Sequence, residues 1–540
     1  AMPIRRSKFL MPPQFTPHTK NIKHIIEPTG GFNNSSVNLF LNETPFCENW
    51  NSVAGYITPR SGLSRLDMSK ATAQLGGNQV DFMTEHSTID GVSVLYAISG
   101  KTLTQHAPGA STSSWSHVVG GFISSALTKV PATRMQGFWD TAGVLESTGT
   151  SNAVAFVNPG IVTFQVSSKS NLPGTTSYIS SLLSASYGSC MHSFAEVVDS
   201  RLCLFSESDN SGIYPYRVRW SARGSHSQFT VIGSGFEDLQ AMQGIPSGLA
   251  LHLNRGILLT TEHVWEMQPR RDLYAFDFRQ IHDTVGCSNP ATLNVTPIGP
   301  LWLGKANTFY TLQGNAVVPL GWEVREYLDL NLREPKLAWA AYDDVNSQYR
   351  FYFSDTTGEY PTRALALNVK SLRQSQTRPG ELDGAWWPMD YAHQLTAGAS
   401  VFGTIDQANS RTPVFGTSKS SIMQELSAQT TDDGTAITAR YRTPVLEPRF
   451  PEAYAQLTEA WVEFQSSSTQ TVALLSTGDY GSTFESHGSF VGSNTTREVM
   501  RPALASASQH PQVELRVTDG SQPKVARLRL FMREFAGRQR

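Results

Sequence analysis

Charged residues are scarce in this sequence: Asp, Glu, Lys and Arg make up 16% of its 540 residues, against about 25% in an average soluble protein. The formal net charge is −2, which excludes a global basic field of the kind that holds nucleic acid. Hydrophobic residues make up 39%, so wholesale disorder is excluded as well. Ser, Thr, Gly and Asn take the place of charge, which favours short strands joined by polar turns. The length predicts about two to four domains.

Cysteine and long apolar runs are also scarce. The four cysteines, Cys47, Cys190, Cys203 and Cys287, lie far apart and form no C-x-x-C pair. We therefore expect free, buried thiols rather than a disulfide framework. No stretch of about 18 uncharged apolar residues occurs, so we expect no membrane-spanning segment. The basic start of the sequence leads into prolines rather than an apolar region, and we expect no secretory signal.

Residues 1–80 are predicted to form an irregular arm that contacts partner proteins. Prolines and Asn/Ser clusters interrupt this segment, and only Val37–Leu41 and Ser64–Leu66 resemble strands. Basic residues are spread along it from Arg5 to Lys23. Such a basic terminus is either a solvated tail or a contact with a partner, and the sequence leaves both alternatives open.

Residues 81–435 predict a long series of short strands, each closed by Gly, Asn or Asp. In the first pair, Ser93–Ser99 and Lys101–Gln105, a glycine forms the turn between two strands. Further pairs follow the same pattern: Ala153–Val157 with Ile161–Val166, Arg201–Phe205 with Tyr214–Ser221, Gly256–Thr260 with His263–Met267, Thr308–Leu312 with Asn315–Val318, Leu337–Tyr342 with Gln348–Phe353, Ala364–Leu367 with Gly384–Pro388, and Ser400–Thr404 with Pro413–Gly416. Only Ser180–Ala185 and Asp238–Met242 resemble helices.

A series of hairpins over roughly 350 residues has to protect its strand edges from pairing with other chains. A β-propeller does so with radial blades, and blades of four strands predict about six of them here. Large aromatic residues near the strand ends are expected to pack between blades. These are Trp115, Trp139, Trp220, Trp265, Trp302, Trp339 and Trp386. Another all-β core that buries the same tryptophans is the alternative.

Residues 436–540 show a cleaner strand pattern. Ala460, Val462 and Phe464 alternate with polar or amphipathic neighbours, which predicts a half-buried strand of period two. This patterning predicts a separate antiparallel β-sandwich of about 100 residues. The predicted fold is therefore all-β, with an irregular N-terminal arm, a propeller and a C-terminal sandwich.

Motifs for catalysis or cofactor binding are missing. The sequence contains no G-x-S-x-G, H-E-x-x-H, Walker A, EF-hand or paired C-x-x-C motif. Gly233–Asp238 lacks the third glycine of a dinucleotide-binding loop and is interpreted as a turn. His282 and Asp283 are adjacent in the sequence, and the side chains of adjacent residues in a strand point to opposite faces. We therefore interpret them as polar loop residues rather than as a catalytic dyad. We predict no catalytic, cofactor-binding or metal-binding residues and no cofactor.

A pair of carboxylates would indicate a glycosidase, because propellers include glycosidases that place two acids beside the glycosidic bond. The candidate acids are Glu326, Asp329, Asp343, Asp344, Asp355 and Glu359. Acidic residues are common in hairpin turns, and solvated turns are the favoured interpretation. The distance between any two of these acids is left open by the sequence.

Residues Thr477–Phe484 match the Ser/Thr-x-Asp-x-Gly-x-Thr-aromatic pattern of the Asp-box, which is familiar from sialidase propellers. In this pattern Asp479 is expected to cap backbone amides, Gly481 to take a positive φ, and Phe484 to pack beneath the hairpin. Such a motif stabilises a turn and carries no chemistry. A single copy in the terminal domain favours a structural role over hydrolysis.

Several short motifs resemble the propeller-containing tail proteins of short-tailed bacteriophages, and they occur in the same order. A Gly-Gly-x-Asn turn, a segment similar to the family's Ala/Glu-x-Asn pattern and an Arg-x-Gly strand open the series. Strands with Arg-Leu and Trp-Ser follow, and an Arg-x-Arg-Thr-Pro segment precedes the last domain. The matching segments are Gly30–Ser36, Glu43–Trp50, Thr58–Leu63, Ser200–Phe205, Arg217–Ser221, Gly286–Cys287, Leu303–Gly304, Thr311–Gly314, Gly384–Trp386 and Arg440–Pro444.

The resemblance implies the nozzle, or tail-tube, subunit of a phage tail, with no enzymatic activity. It implies a homo-oligomeric ring, expected to be a hexamer, that binds adaptor and portal-side proteins together with tail fibre, spike or needle proteins. Double-stranded DNA would pass through the ring without sequence-specific binding. The expected location is the virion tail, and the host cytoplasm during assembly. A receptor- or glycan-binding tail protein is the alternative, followed by a virion-associated glycosidase.

Overall fold

The computed structural model describes most of the chain and is built almost entirely from β-strands. It has one α-helix in the described residues, α1 (Trp322–Asn331), and 3-10 turns at Pro290–Thr292, Lys305–Asn307 and Pro335–Leu337. The described residues are 20–33, 43–53, 55–66, 79–87, 93–99, 102–106, 116–119, 134–140, 151–158, 161–167, 175–178, 191–209, 211–224, 228–270, 274–376, 378–404, 407–419, 421–427, 429–448, 453–464, 470–492, 497–501 and 507–535.

The strands are short and follow one another with tight turns. Those before residue 66 are β1 (Lys20–Ile26), β2 (Gly31–Phe32), β3 (Glu43–Thr44), β4 (Phe46–Glu48), β5 (Trp50–Val53), β6 (Tyr56–Pro59) and β7 (Gly62–Arg65). The next are β8 (Val80–Ser87), β9 (Ser93–Ser99), β10 (Thr102–His106), β11 (Ser116–Val119), β12 (Arg134–Asp140), β13 (Ser151–Asn158), β14 (Ile161–Ser167), β15 (Thr175–Tyr178), β16 (Met191–Val198), β17 (Arg201–Asp209), β18 (Gly212–Trp220) and β19 (Gly235–Asp238).

The second half of the chain continues in the same manner. Its strands up to residue 426 are β20 (Pro246–His252), β21 (Arg255–Thr260), β22 (Val264–Pro269), β23 (Phe276–His282), β24 (Asn294–Thr296), β25 (Gly299–Leu303), β26 (Phe309–Gln313), β27 (Ala316–Leu320), β28 (Trp339–Asp343), β29 (Gln348–Phe353), β30 (Arg363–Gln374), β31 (Leu382–Asp390), β32 (Leu395–Thr404), β33 (Gln407–Thr417) and β34 (Ile422–Leu426). The last are β35 (Thr431–Asp432), β36 (Thr435–Ala436), β37 (Ala439–Arg442), β38 (Tyr454–Phe464), β39 (Gln470–Thr477), β40 (Glu485–Gly492), β41 (Arg497–Met500), β42 (Gln512–Val517) and β43 (Val525–Phe535).

Consecutive strands pair into four-stranded antiparallel units. Strands β8 to β11, β12 to β15, β16 to β19 and β20 to β23 form separate sheets. Strands β24 to β27 and β28 to β31 lie in one larger sheet, joined by a single parallel pair between Leu320 and Leu382. The first strand of each unit contacts the first strand of the next, and β32 contacts β8, so the ring is closed. The all-β prediction and the propeller prediction are confirmed at this level.

The N-terminal segment is more regular than the sequence predicted. Instead of an irregular arm, its described residues form strands that pair with distant parts of the chain. Strand β7 completes the sheet of β32 to β34, with Leu63 opposite Glu425, and β1 runs along β43, with Ile26 opposite Leu528. Local sequence carries no sign of such distant partners. The predicted strand Val37–Leu41 lies outside the described residues.

Beyond the propeller, strands from both ends of the chain form two antiparallel sheets. One has the order β41, β38, β43, β6, β5, with β1 also on β43, and the other has the order β4, β37, β42, β39, β40. Val462 and Leu530 from the first sheet and Leu474 and Leu515 from the second belong to one buried core. Ala460, Val462 and Phe464 are buried as the alternation predicted. The predicted boundaries at residues 80 and 435 stay predictions.

The predicted hairpins are all strands in the structure, whereas the helix predicted at Asp238–Met242 is wrong. Asp238–Met242 forms the end of β19 and a turn, and Ser180–Ala185 lies outside the described residues. Helix α1 was not predicted from the sequence. Its buried apolar side is made by Val324 and Leu328. Two apolar residues on one side are too weak a pattern for a helix prediction. No helix in the described part of the chain is long and apolar enough to cross a membrane.

Tryptophans pack between neighbouring units, as predicted. Trp220 meets Phe276 of the next unit edge-on at 5.3 Å between ring centroids, and Trp386 stacks on Phe309 at 4.8 Å. Trp339 donates a hydrogen bond to the Leu395 carbonyl at 3.0 Å. The side chains of Trp115 and Trp139 lie outside the described residues.

The cysteine prediction is confirmed where the chain is described. Cys47, Cys203 and Cys287 are free and buried. Burial raises the pKa of the Cys47 and Cys203 thiols, so both are held in the unreactive neutral form. Cys190 lies outside the described residues.

Candidate functional site

Three of the candidate acids are held in ion pairs. Asp343 is buried and accepts from Arg350 at 2.6 Å. Asp344 accepts from Arg411 at 2.9 Å. The third, Asp355, lies 2.9 Å from an Arg363 nitrogen. The interpretation as solvated turns is therefore wrong for Asp343, because a carboxylate loses its water when it is buried and needs a cation in exchange.

The other candidate acids lie at the surface. Asp329 accepts from the Asn307 amide at 2.7 Å, and Glu359 accepts from the Gln394 amide at 3.3 Å. Glu326 is exposed on α1. The contacts of Asp329 and Glu359 each stabilise a local connection.

One carboxyl pair was missed by the sequence analysis. Glu48 on β4 and Asp390 on β31 share a hydrogen bond, and burial together with the Asp390 charge raises the pKa of Glu48 to about 7. Arg440 and Arg363 lie on either side of the pair. Glycosidase acids stand roughly 5 to 9 Å apart to admit a sugar or a water. Glu48 and Asp390 touch, so this pair joins two sheets rather than enclosing a substrate.

The histidine and glycine candidates are structural. Nδ1 of His282 accepts hydrogen bonds from the backbone N–H groups of Thr284 and Val285, both at 3.2 Å, so this nitrogen is not available to Asp283. Gly233 has φ of 92° and lies in the turn before β19. No group of three or more metal-ligating residues occurs among the residues that the structure describes.

The Asp-box of residues Thr477–Phe484 has the geometry predicted for it, and it joins β39 to β40. Asp479 accepts hydrogen bonds from the Thr477 hydroxyl at 2.6 Å and from the Thr483 backbone N–H at 2.9 Å. These hydrogen bonds hold the pKa of Asp479 well below its usual range. Gly481 has φ of 88°, and a Cβ there would collide with the guanidinium of Arg442. Glycine is therefore strongly favoured at this position.

Three arginines next to the Asp-box surround one carboxylate. Glu514 is fully buried and accepts from Arg440 Nε at 3.0 Å, from Arg516 Nη2 at 2.6 Å and from Arg442 Nη2 at 3.2 Å. Nη1 of Arg442 also donates to the carbonyl of Tyr480 at 3.1 Å. We call these three arginines with Glu514 the arginine cluster.

Two phenylalanines cover the flat sides of the arginine cluster. Phe46 has the guanidiniums of Arg440 and Arg442 at 4.8 and 4.7 Å from its ring centroid. Phe484, the aromatic residue of the Asp-box, has Arg516 at 5.2 Å. Contacts within about 6 Å are favourable cation–π interactions. Burial lowers the pKa of Arg442, and the charges of Arg440 and Arg516 lower it further.

A small cavity of about 100 Å³ lies on another side of the Asp-box, lined by Ser476, Thr477, Thr483 and Ser508 among others. The Ser476 hydroxyl is 2.7 Å from Nε2 of His487 on the adjacent strand. Burial lowers the pKa of His487, so its imidazole is neutral at pH 7. Ser476 is directly opposite Glu485, so its contact with His487 is a diagonal contact between β39 and β40.

The arginine cluster was the feature hardest to find from sequence. Arg440 and Arg442 stand two positions apart, as do Glu514 and Arg516, so each pair lies on one side of its strand. This alternation of charge was the available signal. It does not reveal that the two strands pair with Arg440 opposite Arg516.

No protein-family model matches the chain, and no curated protein matches it. Among solved structures, the WD40 domain of Pan2 from Neurospora crassa is similar with a TM-score of 0.35 and 6% identity, over 71% of this chain and 99% of that chain. An exo-β-1,3-galactanase from Phanerochaete chrysosporium, solved with β-1,3-galactotriose, has a TM-score of 0.27 and 7% identity, over 88% of this chain and 100% of that chain. Likenesses this distant carry no argument about binding or catalysis.

Proposed function

We propose that this protein is a structural, non-enzymatic subunit of the short tail of a bacteriophage, the nozzle, which assembles as a ring around the path of the ejected DNA. The observation that carries the proposal is the way both ends of the chain are built into one block. Strand β7 belongs to the sheet of β32 to β34, and β1, β5 and β6 belong to the sheet of β43. A tail subunit that transmits force between its neighbours needs such a block.

The finer architecture is part of the same proposal. Five separate four-stranded sheets and two further four-stranded units of the larger sheet would be seven blades, one more than the roughly six predicted from length. The two antiparallel sheets that share one core would form the β-sandwich. A complete ring of blades leaves only short, protected edges.

Buried ion pairs support a role as a rigid scaffold. Arg60 and Asp432 are both buried and lie 2.5 Å apart, where the N-terminal segment meets the last unit. Arg350 is buried between Asp343 and Glu425 in a similar way. Removing one member of a buried pair costs roughly 3 to 5 kcal/mol, since the other charge remains without water. Separating the blades would break these ion pairs and would therefore cost free energy.

Assembly into a ring requires two different complementary surfaces on each copy. In this proposal the sandwich and the strands before residue 66 provide them, because the blades already face one another. Six copies are expected, with the adaptor and portal proteins on one side and the fibre, spike or needle proteins on the other. The net charge of −2 suits a channel that lets DNA slide without holding it.

The oligomeric state tests the proposal. Light scattering after size exclusion is expected to give six times 59.3 kDa, about 356 kDa, and negative-stain images are expected to show a hollow ring. A 59.3 kDa monomer that removes host polysaccharide from solution would contradict the proposal and favour a receptor-binding tail protein. Release of reducing sugar would contradict it in favour of a glycosidase.

A further inference from the structure

The arginine cluster places like charges where a sheet does not ordinarily tolerate them. Arg440 and Arg516 are directly opposite each other on β37 and β42, and like charges in that position are destabilising. The other side of the same strands carries Tyr441 and Leu515, which are buried in the core. The arginines therefore lie on the opposite side of the sheet, where Phe46 and Phe484 partly cover them. Their like charges are held close together there instead of separating in water.

One carboxylate does not neutralise the cluster. Three guanidiniums meet a single buried glutamate, Glu514. Glu48 lies 4.0 Å from Nη1 of Arg440 and also shares a hydrogen bond with Asp390. Three positive charges therefore exceed the negative charge even when Glu48 is counted. Excess charge at a fixed, partly desolvated position attracts an anion more strongly than the same charge on mobile side chains.

Hydrogen-bond donors of the cluster remain available. Arg440 and Arg516 bond Glu514 through Nε and Nη2. Within the described part of the chain, Nη1 of Arg516 has no hydrogen-bond acceptor, and Nη1 of Arg440 has only the Glu48 carboxylate, 4.0 Å away. Their side chains are 26% and 27% exposed, whereas Arg442 is 10% exposed and bonded to the Asp-box. Phe46 and Phe484 hold the guanidinium planes in place, so the donors are already oriented.

We propose that the arginine cluster is a binding site for an oxyanion, namely a phosphate or carboxylate group, with Nη1 of Arg516 as the main donor and Nη1 of Arg440, which lies 4.0 Å from Glu48, as the second. The edge of a guanidinium can donate parallel hydrogen bonds to two oxygens of a phosphate or a carboxylate. Hydrogen bonds with a charged partner are about twice as strong as neutral ones. The group would come from free phosphate or from an acidic sugar. This inference goes beyond the proposed function and does not depend on the ring.

Titration calorimetry at low ionic strength tests the site, with inorganic phosphate, glucuronate and glucose as probes. Phosphate or glucuronate is expected to bind the wild-type protein, and glucose is expected not to bind. Arg516→Gln removes a donor but leaves Glu514 its contacts with Arg440 and Arg442. The affinity of this variant for the anion is expected to be at least tenfold lower than that of the wild-type protein. Arg516→Lys keeps the positive charge but lacks the paired N–H donors of a guanidinium, so its affinity is expected to fall less.

Arg527→Gln is the matched control. Arg527 is 37% exposed on β43 of the other sheet, with Glu27 and Glu463 as its partners, and its loss changes net charge equally. Equal weakening by Arg527→Gln would mean general attraction to positive charge and would overturn the proposal. Failure of both anions to bind the wild-type protein would overturn it too. Phosphate binding without glucuronate binding, or the reverse, supports the site and identifies the source of the group. If circular dichroism shows that Arg516→Gln is unfolded, Arg440→Gln takes its place with the same expectation.

Discussion

Replacing Glu323 by glutamine should make the protein more stable at alkaline pH and remove part of its pH dependence. Glu323 is 3% exposed at the start of α1, where Oε1 accepts from the Gly384 backbone N–H at 2.9 Å. Its Oε2 atom has no hydrogen-bond partner among the described residues. Burial, followed by the nearby charges of Asp383 and Glu43, raises the pKa of Glu323 from 4.5 to about 8.

The sign follows from proton binding. Between pH 4.5 and 8 the unfolded chain releases the Glu323 proton and the folded protein keeps it, so stability is full below pH 4.5 and falls as the pH rises through this window. The shift from 4.5 to about 8, at about 1.4 kcal/mol per pKa unit, gives roughly 5 kcal/mol as the upper bound of the loss. Glutamine keeps the bond to Gly384 and carries no proton to lose.

Urea unfolding followed by tryptophan fluorescence at pH 5 and pH 9 measures the effect. Glu323→Gln is expected to be close to the wild-type protein at pH 5 and several kcal/mol more stable at pH 9, within the bound of about 5 kcal/mol. Glu326→Gln on the exposed side of the same helix is the control, with a change of about 0.5 kcal/mol or less at either pH. An equal effect of Glu323→Gln at both pH values would refute this reasoning.

Three further predictions concern the joints of the fold. Arg60→Ala leaves the buried Asp432 carboxylate without its partner, and it should lower the free energy of unfolding by roughly 3 to 5 kcal/mol, as measured by urea titration; a change below 1 kcal/mol would contradict this estimate of the pair. Gly481→Ala places a Cβ against Arg442 at φ of 88°, so a loss of about 1 to 2 kcal/mol or more is expected, and an unchanged melting temperature would argue against it. Asp479→Ala removes the acceptor of the Asp-box amides, and limited proteolysis should cut the hairpin faster than in the wild-type protein; equal cleavage rates would contradict the capping role.

Local rules predicted much of the fold. The hairpins follow from turn residues between short apolar runs, as at Arg201–Phe205 and Tyr214–Ser221, which are β17 and β18 in the structure. The Asp-box is equally local, because Asp479 bonds residues no more than four positions away. Turns of this kind are determined by residues that are adjacent in the sequence.

The sequence did not predict which distant strands pair with each other. Nothing near Lys20–Ile26 indicates that its partner is β43, and nothing near Arg60 points to Asp432. The arginine cluster depends on both local and long-range features. The alternation of charged residues around Arg440 is visible in the sequence, but the contact of Arg440 with Glu514 depends on the pairing of β37 with β42. Function was harder still, because the resemblance to tail proteins rests on short motifs that also have structural explanations.

The closure of the ring by β7 imposes an order of events on synthesis. Leu63 bonds the Asp432 carboxylate 369 positions away, and Arg527 meets Glu27 across 500 positions. A nascent chain thus carries unpaired N-terminal strands until almost all of it has left the ribosome, and contacts this distant in sequence fold slowly. Premature termination would leave open edges that pair with other chains. Production of this protein should therefore depend on chaperones far more than its mature stability would imply.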